Sequence, residues 1–258
     1  MILHPPMNKE VNWNPDEKII GVVGVAPAAT ADFYTKLIQL TPAKKDWEHV
    51  RVIVDSNPKI PSRGRFFDLG ETDPVPYIRQ SIEQLIQVGA SIIAVPCNTA
   101  HVLYERYMTG FTISIPNMIS LTVERVIQQS PIKPKKATVF ASKTTVEHGL
   151  YNKAFKQHGI IVNDTSNHQI EISALIEKVK QGFSIALLRK EMSHLLNSYQ
   201  EESDVFILGC TELSLLIENH YQGIAVIDSN MTLAESCLKM ANNSAYLQKD
   251  INSQVQQY

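Results

Sequence analysis

Two short stretches of the chain place a cysteine at the same point of the same unit. In Val95-Pro96-Cys97-Asn98-Thr99-Ala100-His101 and in Leu208-Gly209-Cys210-Thr211-Glu212-Leu213, an apolar run stops at a small or cyclic residue, and cysteine follows. Residues with amide, hydroxyl or carboxyl groups come next, and then a helical pattern. Ligands of an open parallel sheet bind beyond the carboxyl ends of its strands, so both cysteines are expected to face a crevice. A helix N-terminus directs unpaired N–H groups at that point and lowers a thiol from its ordinary pKa near about 8.5. Thr99 and Thr211 are placed to cap those helices, or to leave N–H groups free for an anion. Two tunable thiols on opposite sides of one carbon suit a reaction that removes a proton from one face and delivers one to the other, which is racemisation.

Each cysteine has a plainer reading beside this one. A single cysteine at a strand end reads as a small buried hydrophobe, and it is the pairing that favours chemistry. Cys237, in "LAESCLKMA", has no matching motif and reads as packing. His101 lies one helical turn after Cys97, where it either tunes the thiol or closes the turn. No closely spaced Cys or His pair suggests a metal site.

The elements that must hold the cysteines are legible as alternation. "KIIGVVGV" (18–25), "VRVIVD" (50–55), "SIIAVP" (91–96) and "FTISIP" (111–116) read as one set of strands. "KATVFA" (136–141), "GIIVN" (159–163), "DVFILG" (204–209) and "GIAVID" (223–228) read as another. Helical patterns lie between: "ADFYTKLIQL" with Thr30 as its N-cap and Pro42 beyond its end, "VPYIRQSIEQLIQVG", "ISALIEKVKQG" and "SIALLRKEMSHLLNSYQ". Continuous apolar strands separated by helices predict an α/β fold with mostly parallel sheets covered on both faces. The basic, proline-bearing stretch 128–136 separates the halves, and each half then holds one strand–Cys–helix unit. Residues 55–74 form a long loop with two arginines, expected to act as a lid. The polar tail 242–258 has little power to form a core.

The 258 residues carry 24 Lys plus Arg against 26 Asp plus Glu, a net charge of −2. That balance gives no reason to expect nucleic acid or an anionic membrane as partner. Three cysteines do not make a disulfide framework, and the N-terminus lacks the pattern of a signal peptide. A cytoplasmic location with reduced thiols is therefore expected. "GVVGVAP" matches a dinucleotide fingerprint poorly, and nothing resembles a lysine-anchored cofactor site.

From about Ile19 to Leu238 the chain resembles the aspartate/glutamate racemase family, on "PCNTAH" and "LGCTELSLL" above all. "APAATADFYTKL", "TPAKKDWEHV", "NPKIPSRG", "GLYNKAF" and "EKVKQG" support the match. The resemblance implies two similar Rossmann-like α/β domains with the active site in the cleft between them. The expected division is 1–117 plus 230–258 around Cys97, and 118–229 around Cys210. It implies cofactor-independent racemisation of aspartate or glutamate, with Cys97 acting on the D-enantiomer and Cys210 on the L-enantiomer. It also implies a small acidic amino acid as ligand, no cofactor, and a homodimer. Asn98, Thr99 and Thr211 would bind the α-carboxylate. Arg63 and Lys180 would hold the second carboxylate, for which a bidentate Arg and a Lys point charge are suited. Asn57 is a further candidate contact.

Glu212 stands where glutamate-specific relatives carry histidine, which points to the aspartate branch. Two departures stand out: Gly24-Val25-Ala26-Pro27 replaces a longer, glycine-rich "GGMGP" loop, and Ser62 replaces the aspartate before the loop arginine, with Arg65 nearby. Three rivals stay open: another two-cysteine enzyme of the maleate isomerase or hydantoin racemase type, a non-catalytic amino-acid binding protein, and a redox pair made of Cys97 and Cys210.

Overall fold

Each Ile- and Val-rich run leads into one of two sheets in the computed structural model, which describes residues 16–129, 133–217, 220–243 and 246–247. In the first half, β1 (Ile20–Gly24) is followed by α1 (Pro27–Leu40), β2 (Val52–Ser56), α2 (Arg63–Leu69), α3 (Val75–Gln87), β3 (Ile92–Ala94), α4 (Tyr104–Met108) and α5 (Met118–Gln129). The second continues with β4 (Lys136–Ala141), α6 (Lys143–Glu147), α7 (Leu150–Lys156), β5 (Ile161–Val162), α8 (Gln169–Lys180), α9 (Ile185–Asn197) and β6 (Val205–Gly209). The order ends with β7 (His220–Tyr221), β8 (Ile224–Asp228) and α10 (Ser229–Met240). The first sheet has the parallel order β2-β1-β3, and the second the order β5-β4-β6-β8-β7, antiparallel only at β7.

Side chains alternate across each strand, so each sheet feeds two cores. Ile20 and Val22 pack with Phe33 of α1 and with Leu233 and Cys237 of α10, which makes Cys237 the core residue expected. Val23 and Ile93 pack with Ile78 and Ile82 of α3 and with Tyr107 of α4. Phe206 and Leu208 meet α8 and α9, whereas Val205 and Ile207 meet α5 and α7. Among the described residues no helix is long and apolar enough to cross a membrane.

Several local expectations are corrected. Thr30 does not cap α1, which starts at Pro27 after Ala26; its hydroxyl donates to Ala26 O at 2.7 Å. Its side chain lies over Gly24, where a Cβ would sit 2.7 Å from it. "FTISIP" contributes one parallel bridge, Ile92 to Ser114, rather than a strand. The ladder stops because Tyr104 takes the Ile115 carbonyl at 2.6 Å and Pro116 has no N–H to offer. The long 55–74 loop contains α2, capped by Ser62 Oγ accepting from Arg65 N and closed by Gly70 at φ 65°. Phe67 of this helix packs against the His148 ring, tilted at 56° with centroids 4.3 Å apart, and Lys143 reaches Asp68, so the segment rests on the second half. In the tail, Tyr246 is buried in the first core, and residues 244–245 and 248–258 lie outside the described residues.

A buried charge cluster joins the halves. Lys36 of α1 pairs with Asp32 and, at 3.1 Å, with Asp228 at the end of β8. Asp228 also caps α10 through Asn230 N and accepts from Ser214 Oγ, both at 2.7 Å. Removing one member of such a set leaves buried charge uncompensated, at a cost of about 3–5 kcal/mol. Lys36→Met is therefore expected to lower the unfolding free energy by that order in urea titrations; a loss under about 1 kcal/mol would show that the two carboxylates do not depend on this cation.

Candidate active site

Cys97 and Cys210 both follow the carboxyl ends of parallel strands, β3 at the edge of the first sheet and β6 in the middle of the second, as the sequence suggests. What comes after each is a 3₁₀ turn, Thr99–Leu103 and Leu213–Leu215, and neither threonine caps it. Segments this short carry little dipole, so the expected lowering of the thiols by a helix terminus has no structural basis here.

The turn after Cys97 is fixed from several sides. Asn98 is almost wholly buried; its Oδ1 accepts from Tyr151 OH at 2.7 Å, and its Nδ2 donates to Ser229 Oγ at 2.9 Å. Ser229 Oγ in turn donates to Leu208 O at 2.8 Å, two residues before Cys210. The Asn98 side chain thus spans from the first half to the strand that carries the second thiol. Thr99 Oγ1 meets Ser142 Oγ at 2.8 Å and Thr145 Oγ1 at 3.3 Å, at the start of α6. Of the two roles open to His101, the structure takes the second. Its Nε2 accepts from Met118 N at 3.1 Å, which leaves Nδ1 to donate to Cys97 O at 2.8 Å. Both ring nitrogens are spent on backbone.

Cys210 lies in a different electrostatic setting. Its Sγ donates to Glu212 Oε2 at 3.1 Å, and Thr211 Oγ1 donates to the same oxygen at 3.3 Å. Burial first, then the Glu212 carboxylate, pushes the Cys210 thiol well above its ordinary value; Lys180 opposes this, and charge on Cys97 adds to it. Gly209 is required just before Cys210, because a Cβ there would lie 2.9 Å from Val139 and 3.1 Å from the Tyr151 ring.

The cationic candidates meet in a cavity of about 270 Å³ between α2, α6 and α8. Arg63, Arg65, Lys143 and Lys180 line it against Asp68 and Glu177, and Thr99 and Ser142 bring hydroxyls. Arg63 is held by neutral groups, Nη1 on Pro61 O at 3.2 Å and Nη2 on Val25 O at 3.4 Å. Its Nε is buried without a partner, and no carboxylate pairs with it among the described residues. Arg65 instead pairs with Glu71, and Lys180 with Glu177 at 2.7 Å. Asn57 stands apart at the end of β2, its N–H on Gly24 O and its Oδ1 on Lys59 N, outside that cavity lining. Among the described residues no group of three or more His, Cys, Asp or Glu side chains is placed to hold a metal ion.

Sequence reasoning missed Tyr151, Ser229, Ser142 and Thr145 as supports of the site. Asp228-Ser229-Asn230 does carry a helix N-cap signature, but nothing in it names Asn98 as a partner.

A model of the Asp/Glu/Hydantoin racemase family matches residues 21–237, a span that includes both cysteine turns. The chain belongs to that family. The structure of Picrophilus torridus aspartate racemase superposes with a TM-score of 0.78 at 30% identity, over 87% of this chain and 94% of that one. The broad specificity amino-acid racemase RacX of Bacillus subtilis is 28% identical over 223 residues, 84% of this chain and 96% of its own length. Glutamate racemase RacE1 of Bacillus anthracis shares the fold, with a TM-score of 0.64 at 18% identity, over 87% of this chain and 82% of that one. The family is thus that of a racemase, on a mixed α/β fold with mostly parallel sheets.

His101 gives this site an acid limit. Burial pushes its imidazole down from 6.5 to about 4. The unfolded chain takes up a proton near about 6.5 that the folded chain refuses until about 4, so stability is full above this window and is lost as pH falls through it. The loss reaches about 3 kcal/mol. His101→Gln is expected to lower stability at neutral pH yet flatten its fall between pH about 6.5 and 4; equal slopes for wild type and variant in urea titrations would contradict the assignment.

Proposed function

We propose that the protein interconverts the enantiomers of an acidic amino acid, aspartate foremost, by proton transfer between Cys97 and Cys210 without a cofactor. The observation that carries this reading is Arg63, a half-buried guanidinium with no carboxylate partner among the described residues, opening on a cation-rich cavity that Thr99 joins to the cysteine turn. A dicarboxylate supplies the missing charge, with Lys180 as second contact. The α-carboxylate falls to Thr99, Thr211 and the Asn98 turn, whereas Asn57, outside the cavity lining, has no part in this reading.

In one direction the Cys97 thiolate removes the α-proton of the D-enantiomer. The electron pair passes into the carboxylate, and the Cys210 thiol delivers a proton to the opposite face. The reverse direction exchanges the roles. Fixed donors around the carboxylate stabilise the carbanion because they need no reorganisation as charge develops. Helix α2, resting on α6, would cover the bound substrate and limit its contact with water.

A wider substrate range is the second reading. The Bacillus subtilis relative is named for broad specificity, and the first loop here presents Val25 in place of glycine.

Wild-type protein in D₂O is expected to exchange the α-proton of L- and D-aspartate, followed by NMR, and Cys97→Ala and Cys210→Ala are each expected to abolish racemisation. Exchange with neutral amino acids as fast as with aspartate would favour the wider range, and none with any amino acid would sink both readings. Arg63→Lys keeps the charge but loses the fork, and is expected to raise KM for aspartate roughly 10- to 100-fold, the size of one charge-assisted hydrogen bond, while leaving a neutral substrate little changed.

A further inference from the structure

We propose that Glu212 is a positioning residue that keeps the second thiol protonated at rest: its carboxylate holds the Cys210 hydrogen, so Cys210 starts as the acid of the pair. This rests on the two-thiol reading above and assigns Cys210 its starting state.

The geometry is that of a buried acceptor with two donors. Glu212 Oε2 receives Cys210 Sγ–H at 3.1 Å and Thr211 Oγ1–H at 3.3 Å, and all three residues are buried. An ionised carboxylate only accepts, so the shared oxygen requires the hydrogen on sulfur. A thiolate at this position would set two anions 3.1 Å apart away from solvent. Charged and titratable groups face the pair from every side. Lys180 of α8 is the opposing cation, and its Nζ is shared with Glu177 at 2.7 Å. Tyr151 of α7 and Cys97 are further ionisable groups whose charge couples to that of Cys210. Asp228 of β8 is spent on Ser214, Asn230 and Lys36. The Glu212 carboxylate in contact with the thiol, against one ammonium that is shared with Glu177, leaves the balance against a Cys210 thiolate.

The consequence for turnover is constrained by symmetry. The enantiomers have equal free energy in solution, so kcat/KM is equal in the two directions whatever the protein does. Asymmetry appears in KM and kcat separately. The D-enantiomer meets the resting form directly. The L-enantiomer needs Cys210 as thiolate, and binding to a fractionally populated form raises its apparent dissociation constant by the inverse of that fraction. KM for L is expected to exceed KM for D.

The test uses Cys97→Ser/Cys237→Ala protein, in which Cys210 is the sole thiol, titrated by thiolate absorbance with and without Glu212→Gln. Loss of the carboxylate is expected to lower the Cys210 midpoint by about one pH unit or more; in otherwise wild-type protein, Glu212→Gln brings the two KM values together. A midpoint that stays or rises, when the protein with all three cysteines racemises, overturns the role of Glu212 alone. A midpoint that falls, when the protein with all three cysteines turns over no amino acid, upholds the Glu212 contact and overturns the racemase reading. Should Glu212→Gln fail to fold, the infrared S–H band of the Cys97→Ser/Cys237→Ala protein decides: a band present at neutral pH and red-shifted from a free thiol supports the contact, and its absence or an unshifted band refutes it.

Discussion

The site depends on one buried side chain, that of Asn98. The Asn98 carboxamide accepts from Tyr151 and donates to Ser229, and Ser229 passes the chain on to the Leu208 carbonyl. Asn98 is adjacent to Cys97, and Leu208 lies two residues from Cys210. Three buried hydrogen bonds therefore fix the spacing of the two cysteine turns across the cleft. Partners left unpaired at that depth would each cost a desolvation penalty, so the network is favoured only when both halves are in register. Gly209 belongs to the same constraint, because the Tyr151 ring sits where a Cβ would be.

A second tie works through charge. Asp228 uses one carboxylate oxygen on Lys36 and the other on Ser214 and the α10 N-terminus. Lys36 rides on the helix that follows the shortened first loop, and Ser214 lies in the 3₁₀ turn after Cys210. The loop under one side of the cleft and the turn on the other are held by one carboxylate. The neutral network sets distance, and the ionic one sets the orientation of α1 against α10.

How much of this was legible varies with the range of the interaction. Apolar runs and their alternation with helices are local, and they located all three strands of the first sheet and the four parallel strands of the second. β7 escaped notice because it is two residues long, joined to β8 by Gln222 and Gly223, both at positive φ. Thr30 looked like a cap by residue type, whereas Pro27 had already set the first turn. The cysteines were found because their motif repeats. Ser229 was not, since it lies 131 positions from Asn98 and no periodicity marks a hydrogen bond of that span. The direction of the Cys210 shift was misread for a related reason: the strand-to-helix pattern is visible in sequence, but the length of the helix and the contact with Glu212 are not.

The two departures from the family pattern act together on Arg63. Without glycines, Ala26 adopts extended backbone at φ −144° and leads straight into Pro27, and the Val25 carbonyl is left to receive the guanidinium. With serine in place of aspartate at position 62, the neighbouring side chain caps α2 rather than setting a negative charge beside the arginine. Carbonyl dipoles orient a cation without neutralising it, whereas a carboxylate would do both. Arg63 is therefore fixed in direction and left with its charge unspent. Both departures thus bear on the same guanidinium, one by supplying a carbonyl and the other by removing a charge.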